Sequence, residues 1–167
     1  MKGEHTKAWN ICLPMPTRAN NLVRPAILGG KNTKPRARLV KTADGKAWKA
    51  TARALLKQRA MGMGYEKLEG PVRVILTLQF RSVRSDIDGP LKALFDACSG
   101  VIWVDDRQIT DLRVLKWVSS TMAEGCALSV EPDLTAPASL RNHILAALEK
   151  SSTRGPTPNF TNHRKAQ

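Results

Sequence analysis

Residues 72–106 read VRVILTLQFRSVRSDIDGPLKALFDACSGVIWVDD, and this stretch decides the fold. Val72, Val74, Leu76, Leu78 and Phe80 fall on alternate positions, the period-two pattern of a strand with one buried face. A polar turn, RSVRSDID, follows. Gly89-Pro90 then opens a helix, because the amide hydrogen that proline lacks has no intrahelical partner at the first position. Leu91, Leu94, Phe95 and Cys98 make its apolar stripe, and Gly100 is a natural stop. Val101 to Val104 fits a short strand ended by Asp105-Asp106. A strand, a helix and a returning strand in so short a span point to a small mixed α/β domain.

The flanks extend this pattern. Residues 8–13, AWNICL, suit a short strand that Pro14 and Pro16 end. Residues 17–45 are polar, basic and rich in turn formers, so a long basic N-terminal loop is expected there. Between about 46 and 61, Trp48, Ala52, Leu55, Leu56 and Arg59 recur at helical spacing, with Lys46, Lys49, Arg53 and Lys57 around them. The spacing predicts an amphipathic basic helix. Downstream, residues 108–119 and 126–131 suit two more strands, and Pro137 opens a helix that runs to about Glu149. The polar tail 151–167, broken by two prolines, reads as disordered. One domain over 1–150 accounts for the whole pattern, since 167 residues at 42% hydrophobic content supply one core.

Charge is distributed unevenly. The formal net charge is +13. Residues 1–60 hold 14 Lys/Arg against Glu4 and Asp44, for a net of +12, while 61–130 carry 8 basic and 9 acidic residues, for a net of −1. A basic arm beside a neutral centre suits a polyanion, because each phosphate neutralised releases counterions. Ribosomal and scaffold proteins share that look. Cys12, Cys98 and Cys126 are odd in number and form no CxxC pair, so free thiols are expected rather than disulfides or a thiolate zinc site. No run approaches the ~20 apolar residues of a membrane span, and MKGEHTKAWN lacks the apolar core of a secretory signal. A cytoplasmic location is therefore expected.

The acidic residues carry the chemistry. Asp86 and Asp88 lie two apart at the exit of the strong strand, so an extended backbone points both side chains the same way. Two converging carboxylates repel unless a cation neutralises them. Magnesium takes hard oxygen ligands and commonly uses one or two carboxylates while keeping waters. Asp105 and Asp106 follow the next apolar segment, which is expected to return to the same edge. Asp86, Asp88 and Asp106 are thus candidate ligands for Mg2+, with Asp105 as a further candidate. Lys92, four residues after Asp88 on the helix, shares its face and suits the stabilisation of a pentacovalent phosphate. Local readings compete: Asp88 also suits a helix cap, Asp105-Asp106 an exposed turn, and Lys92 a pair with Asp88 or Asp96. The chemistry that fits the whole set is phosphodiester hydrolysis. Of the imidazoles, His5 and His163 lie in weakly organised termini, and His143 has no catalytic neighbourhood.

At these residues the sequence resembles the RusA family of Holliday junction resolvases, common in phages and prophages. The likeness centres on residues 85–117, SDIDGPLKALFDACSGVIWVDDRQITDLRVLKW. Family members show a D-x-D-N-x-x-K-x-x-x-D-A-L run, then W-x-D-D and a D-x-R-V-x-K strand. Asp86, Asp88, Lys92 and Asp106 fall on the catalytic-type positions, and Asp105 on the companion acid. Weaker similarity covers LPMPTRANN, 13–21, and the helix start in 42–60, so the resemblance spans about 8–131. Gly89-Pro90 departs from the usual asparagine, Ser85 stands where a basic residue is common, and the link from Lys92 to the double aspartate is one residue shorter.

The resemblance implies a Mg2+-dependent crossover junction endodeoxyribonuclease, with Mn2+ as a substitute ion. It further implies a homodimer that places paired nicks across a four-way branched DNA. Such a junction is roughly two-fold symmetric, which asks for two sites related by a two-fold axis. The apolar residues Val101, Ile102 and Trp103 are a candidate interface, or else core. Lys31, Lys34, Arg36, Arg38, Lys41 and Arg84 are candidate DNA contacts that read shape and phosphate position. A non-catalytic nucleic-acid-binding protein, a nuclease for flaps and other branched forms, and a structural protein with a basic surface remain the competing expectations.

Overall fold

The computed structural model describes residues 8–16, 23–28 and 36–152. In chain order the elements are β1 (Trp9–Pro14), β2 (Val23–Leu28), β3 (Arg36–Lys41), α1 (Ala43–Met63), β4 (Val72–Phe80), α2 (Leu91–Cys98), β5 (Ile109–Val118), β6 (Gly125–Pro132) and α3 (Ala138–Ser152). Four strands form a mixed sheet in the order β1-β6-β4-β5, and β2 and β3 form a separate two-stranded sheet. This is a small mixed α/β domain, as the alternation of apolar residues predicts.

The sheet is built around β4. Val72, Val74, Leu76 and Leu78 are fully buried, with Phe80 nearly so. Antiparallel β6 aligns Val130 with Val74, Leu128 with Leu76 and Cys126 with Leu78, and β1 adds Trp9 and Leu13 on the same face. Leu56 of α1 and Leu94 and Cys98 of α2 close that face as one cluster. Thr42 caps α1, its hydroxyl accepting from the Gly45 amide at 3.1 Å. Burial pushes the Cys126 thiol up to about 12 and raises Cys98 as well, so both behave as core side chains.

Two expectations need correction. The basic stretch 17–45 is not all loop, since it holds the β2–β3 hairpin, in which Arg38 pairs with Ala26 and Arg36 with Leu28. β2 and β3 are short and interrupted by charge and proline, which masks the strand period in the sequence. Residues 101–104 form no strand, and they are not a surface. Val101, Ile102 and Trp103 are buried, the last two completely, because the turn after α2 tucks under the sheet, where the Leu68 amide donates to the Ile102 carbonyl at 2.8 Å. The candidate dimer interface is therefore core. The tail beyond Ser152, with His163, and the N-terminal His5 lie outside the described residues. Among the described residues, no helix is long and apolar enough to cross a membrane.

Three strands are tied at one end by Arg73 of β4. Its guanidinium reaches Asp111 of β5 at 2.9 Å, Glu131 of β6 at 3.2 Å and Asp133 at 3.5 Å. Hydrogen bonds from the Thr135 and Thr110 hydroxyls, with Arg73 beside them, hold the Asp133 carboxyl below the usual carboxylate range. A carboxylate with a depressed folded-state pKa adds stability above its unfolded value of about 3.9, and that contribution is lost as pH falls toward the folded value. In urea unfolding, Asp133→Asn is expected to be less stable than the parent at neutral pH, and the gap is expected to close as the pH is taken below about 4.

Candidate active site

β4 and β5 are parallel neighbours, with Val72 opposite Ile109 and Phe80 opposite Val118. Parallel strands need a crossover, so the chain from 81 to 108 must return along the full length of β4. All the candidate acids lie on that return. The first part, 81–90, is irregular and leads from the end of β4 into α2. Ser85 is buried there, while Arg84, Asp86, Ile87 and Asp88 are exposed. The Asp88 carbonyl accepts from the Leu91 amide at 3.0 Å, and no side chain caps α2. The capping role open to Asp88 is thus not taken up. Among the described residues, neither carboxylate has a hydrogen bond or ion pair within the protein.

At the far end of α2 the chain is tightly bonded. Arg53 of α1 donates to the carbonyls of Ala97 at 3.2 Å and Ser99 at 2.7 Å, satisfying the end of the helix. Gly100 follows with φ +76°, a left-handed conformation suited to glycine. Asp106 Oδ1 accepts from the Ser99 hydroxyl and from the buried Trp103 indole, the latter at 2.9 Å. Among the described residues, its other oxygen has no bonding partner. Asp105 is used locally: its carboxylate accepts from the Arg107 amide at 3.0 Å, pairs with the Arg107 guanidinium at 3.3 Å, and completes a capping box with Gln108.

Gln108 holds this turn in place. It is fully buried, and every polar capacity of its amide is used. Oε1 accepts from the amides of Val104 at 2.6 Å and Asp105 at 2.9 Å, while Nε2 donates to the carbonyls of Leu68 at 3.0 Å and Gly70 at 2.7 Å. Asp105 and Gln108 stand three apart, a spacing that signals a capping box in the sequence.

The two acid positions therefore flank α2. Asp88 stands at its start and Asp106 at its end, and an eight-residue helix spans about 12 Å at ~1.5 Å per residue. The expected return of Asp105-Asp106 to the edge that carries Asp86 and Asp88 does not occur. The physical reason is the parallel pairing, which starts β5 at the opposite end from where β4 stops. Among the described residues, no group of three or more His, Cys, Asp or Glu side chains is disposed to hold a metal ion. The exposed Asp86 and Asp88 nonetheless offer hard oxygen donors free of protein partners, which fits an ion that keeps several waters and adds substrate phosphates.

The basic residues divide similarly. Lys92 is 81% exposed and meets Asp96 at 3.4 Å, a surface pair of little energetic weight that leaves the ammonium available. Arg36, Arg38 and Lys41 lie on β3, and Lys31 and Lys34 fall outside the described residues. Two residues passed over in the sequence pattern, Gln108 and Lys116, prove to anchor the acid-bearing connections.

With this geometry established, comparison with known proteins adds the class. The chain combines a strongly basic arm with a carboxylate-bearing crossover, and a family model described as Endodeoxyribonuclease RusA matches residues 23–125. That is well over half of the chain and includes the whole crossover. The chain belongs to the RusA family of Holliday junction resolvases, and its general activity is that of a nuclease. No curated protein matches the sequence.

Replacing Gln108 with leucine keeps its bulk but strands four half-buried backbone groups. Gln108→Leu is expected to lose about 3 kcal/mol or more in urea unfolding, since each unsatisfied buried group costs on the order of 1–3 kcal/mol before relaxation.

Proposed function

We propose that the protein resolves four-way DNA junctions by paired, divalent-metal-dependent nicks, with Asp86 and Asp88 as the residues that hold Mg2+ or Mn2+. The observation that carries this reading is a family match that runs through an exposed, unpartnered pair of carboxylates. When bound, the ion supplies Lewis acidity and a bound water of lowered pKa. Asp86 and Asp88 would hold that charge beside a phosphodiester, and the ion's charge would relieve the repulsion between the two carboxylates. Lys92 would offer its ammonium to the phosphate as negative charge builds on it. Water attack in line with the 3′ oxygen would leave 5′ phosphate and 3′ hydroxyl ends.

Asp106 is the proposed third acid, through the oxygen that Ser99 and Trp103 leave free. Asp105 shapes the turn that presents Asp106. Lys31, Lys34, Arg36, Arg38, Lys41 and Arg84 are proposed phosphate contacts, which fix position on the duplex rather than read bases. Two-fold symmetric nicking asks for a homodimer. With Val101, Ile102 and Trp103 buried, its interface must lie elsewhere.

The test is cleavage of a labelled four-way junction with and without Mg2+, beside flap, Y-form and linear duplex substrates. Paired cuts in the junction are expected, at rates well above those on the other three. Asp86→Asn is expected to bind the junction at least as tightly as the parent, because a negative charge facing phosphate is gone, yet to lose cutting by about 100-fold or more. Equal rates on all four substrates, or parental cutting by Asp86→Asn, would refute the reading. Binding without cleavage under any divalent ion would favour a non-catalytic DNA-binding protein.

A further inference from the structure

We infer that Lys116 is a positioning residue that clamps the connection carrying Asp86 and Asp88. The inference rests on the nuclease reading above, and it deepens that reading by assigning what holds the acid pair in place. Lys116 lies on β5 opposite Leu78 of β4. Its ammonium donates to the carbonyl of Val83 and to the carbonyl of Ser85, both at 2.6 Å, and sits 5.7 Å from the centre of the Phe80 ring.

The second of those carbonyls matters most. The Ser85 carbonyl belongs to the peptide plane whose amide nitrogen is that of Asp86, so gripping it restrains the backbone on which the first carboxylate is mounted. The stretch 81–90 has little else to hold it. Within it, the Ser85 amide donates to the Ser82 carbonyl at 3.3 Å and the Arg84 amide to the Ser82 hydroxyl at 3.2 Å. From outside, the Glu124 carboxylate accepts from the Arg81 amide at 3.1 Å, at the base of the connection. At the α2 end the Asp88 carbonyl accepts from the Leu91 amide at 3.0 Å, and Lys116 supplies the grip on the Asp86 side.

Lysine suits the task chemically. Its compact ammonium has three donors, and two converging carbonyls use two of them at charge-assisted distances. Lys92 is placed differently: it reaches only Asp96 and holds no part of 81–90. In the sequence Lys116 is the lysine of the D-x-R-V-x-K strand, but its partners are backbone carbonyls some thirty residues away, so the motif does not show what it holds.

Two measurements on the full chain test the assignment. In metal-free protein, amide hydrogen exchange at residues 83–88 is expected to be about tenfold faster in Lys116→Met than in the parent, the scale of losing one or two hydrogen bonds. In junction cleavage, the Mg2+ concentration for half-maximal rate is expected to rise about tenfold in Lys116→Met, with the rate recovering at high Mg2+ and Lys116→Arg restoring part of the loss. Junction binding in EDTA is expected to stay near parental. Should Lys116→Met melt below the assay temperature, Lys116→Gln takes its place in both measurements. Unchanged exchange at 83–88, or an unchanged Mg2+ requirement in a folded variant, overturns the clamp. A parent that fails to cut at any Mg2+ concentration defeats the nuclease reading instead, and the exchange measurement still decides whether the clamp exists.

Discussion

The parallel pairing of β4 with β5 governs everything of functional interest in this protein. Two antiparallel strands can be joined by a tight turn, but a parallel pair obliges the chain to travel back the length of the first strand before the second begins. Here that journey runs from Arg81 to Gln108, and α2 occupies its middle. The buried stripe of α2, Ala93, Leu94, Ala97 and Cys98, seals the sheet face that Val74, Leu76 and Leu78 present. The opposite side of the crossover is left to solvent. Every candidate acid sits on that same return path.

A crossover built this way is rigid where it is bonded and loose where it is not. At the end of α2, Arg53, Ser99, Trp103 and Gln108 bind the chain to α1, to the 68–70 connection and to Asp106, using buried donors and acceptors almost to exhaustion. At its start, the two aspartates are exposed and face no partner of their own. The contrast fits a division of labour, in which one end supplies a preorganised frame and the other supplies ligand atoms that cost little to desolvate.

Much of this was legible in the sequence, for identifiable reasons. The alternation Val72 to Phe80 marks a half-buried strand because its other face, Arg73, Ile75, Thr77 and Gln79, is mostly polar. Gly89-Pro90 and Gly100 bracket α2 by backbone conformation alone. The Asp-x-Asp pair and Lys92 stood out because charged residues at an element boundary have few structural excuses. The β2–β3 hairpin was concealed because charge and proline in VRPAIL and RARLVK break the apolar period that announces a strand. Trp103 and its neighbours read ambiguously, since an apolar run of four has no periodicity to separate core from interface. The convergence of Asp106 with Asp86 failed as an expectation because strand direction is a tertiary property: nothing in 101–118 says whether β5 runs with β4 or against it. The spacing of Asp105 and Gln108 and the D-x-R-V-x-K strand ending in Lys116 are both in the sequence, but the grip of Gln108 on Leu68 and Gly70 and of Lys116 on Val83 and Ser85 is not, because those backbone partners are distant in sequence.

The central claim is that a divalent ion is held at the start of α2, between Asp86 and Asp88. The most direct measurement loads the junction-bound protein with Fe2+ in place of Mg2+ and maps hydroxyl-radical scission of the polypeptide backbone. Cuts are expected at residues 85–89, and they should vanish when excess Mg2+ competes for the site. Scission confined to the far end of α2, or none that Mg2+ suppresses, would contradict the claim.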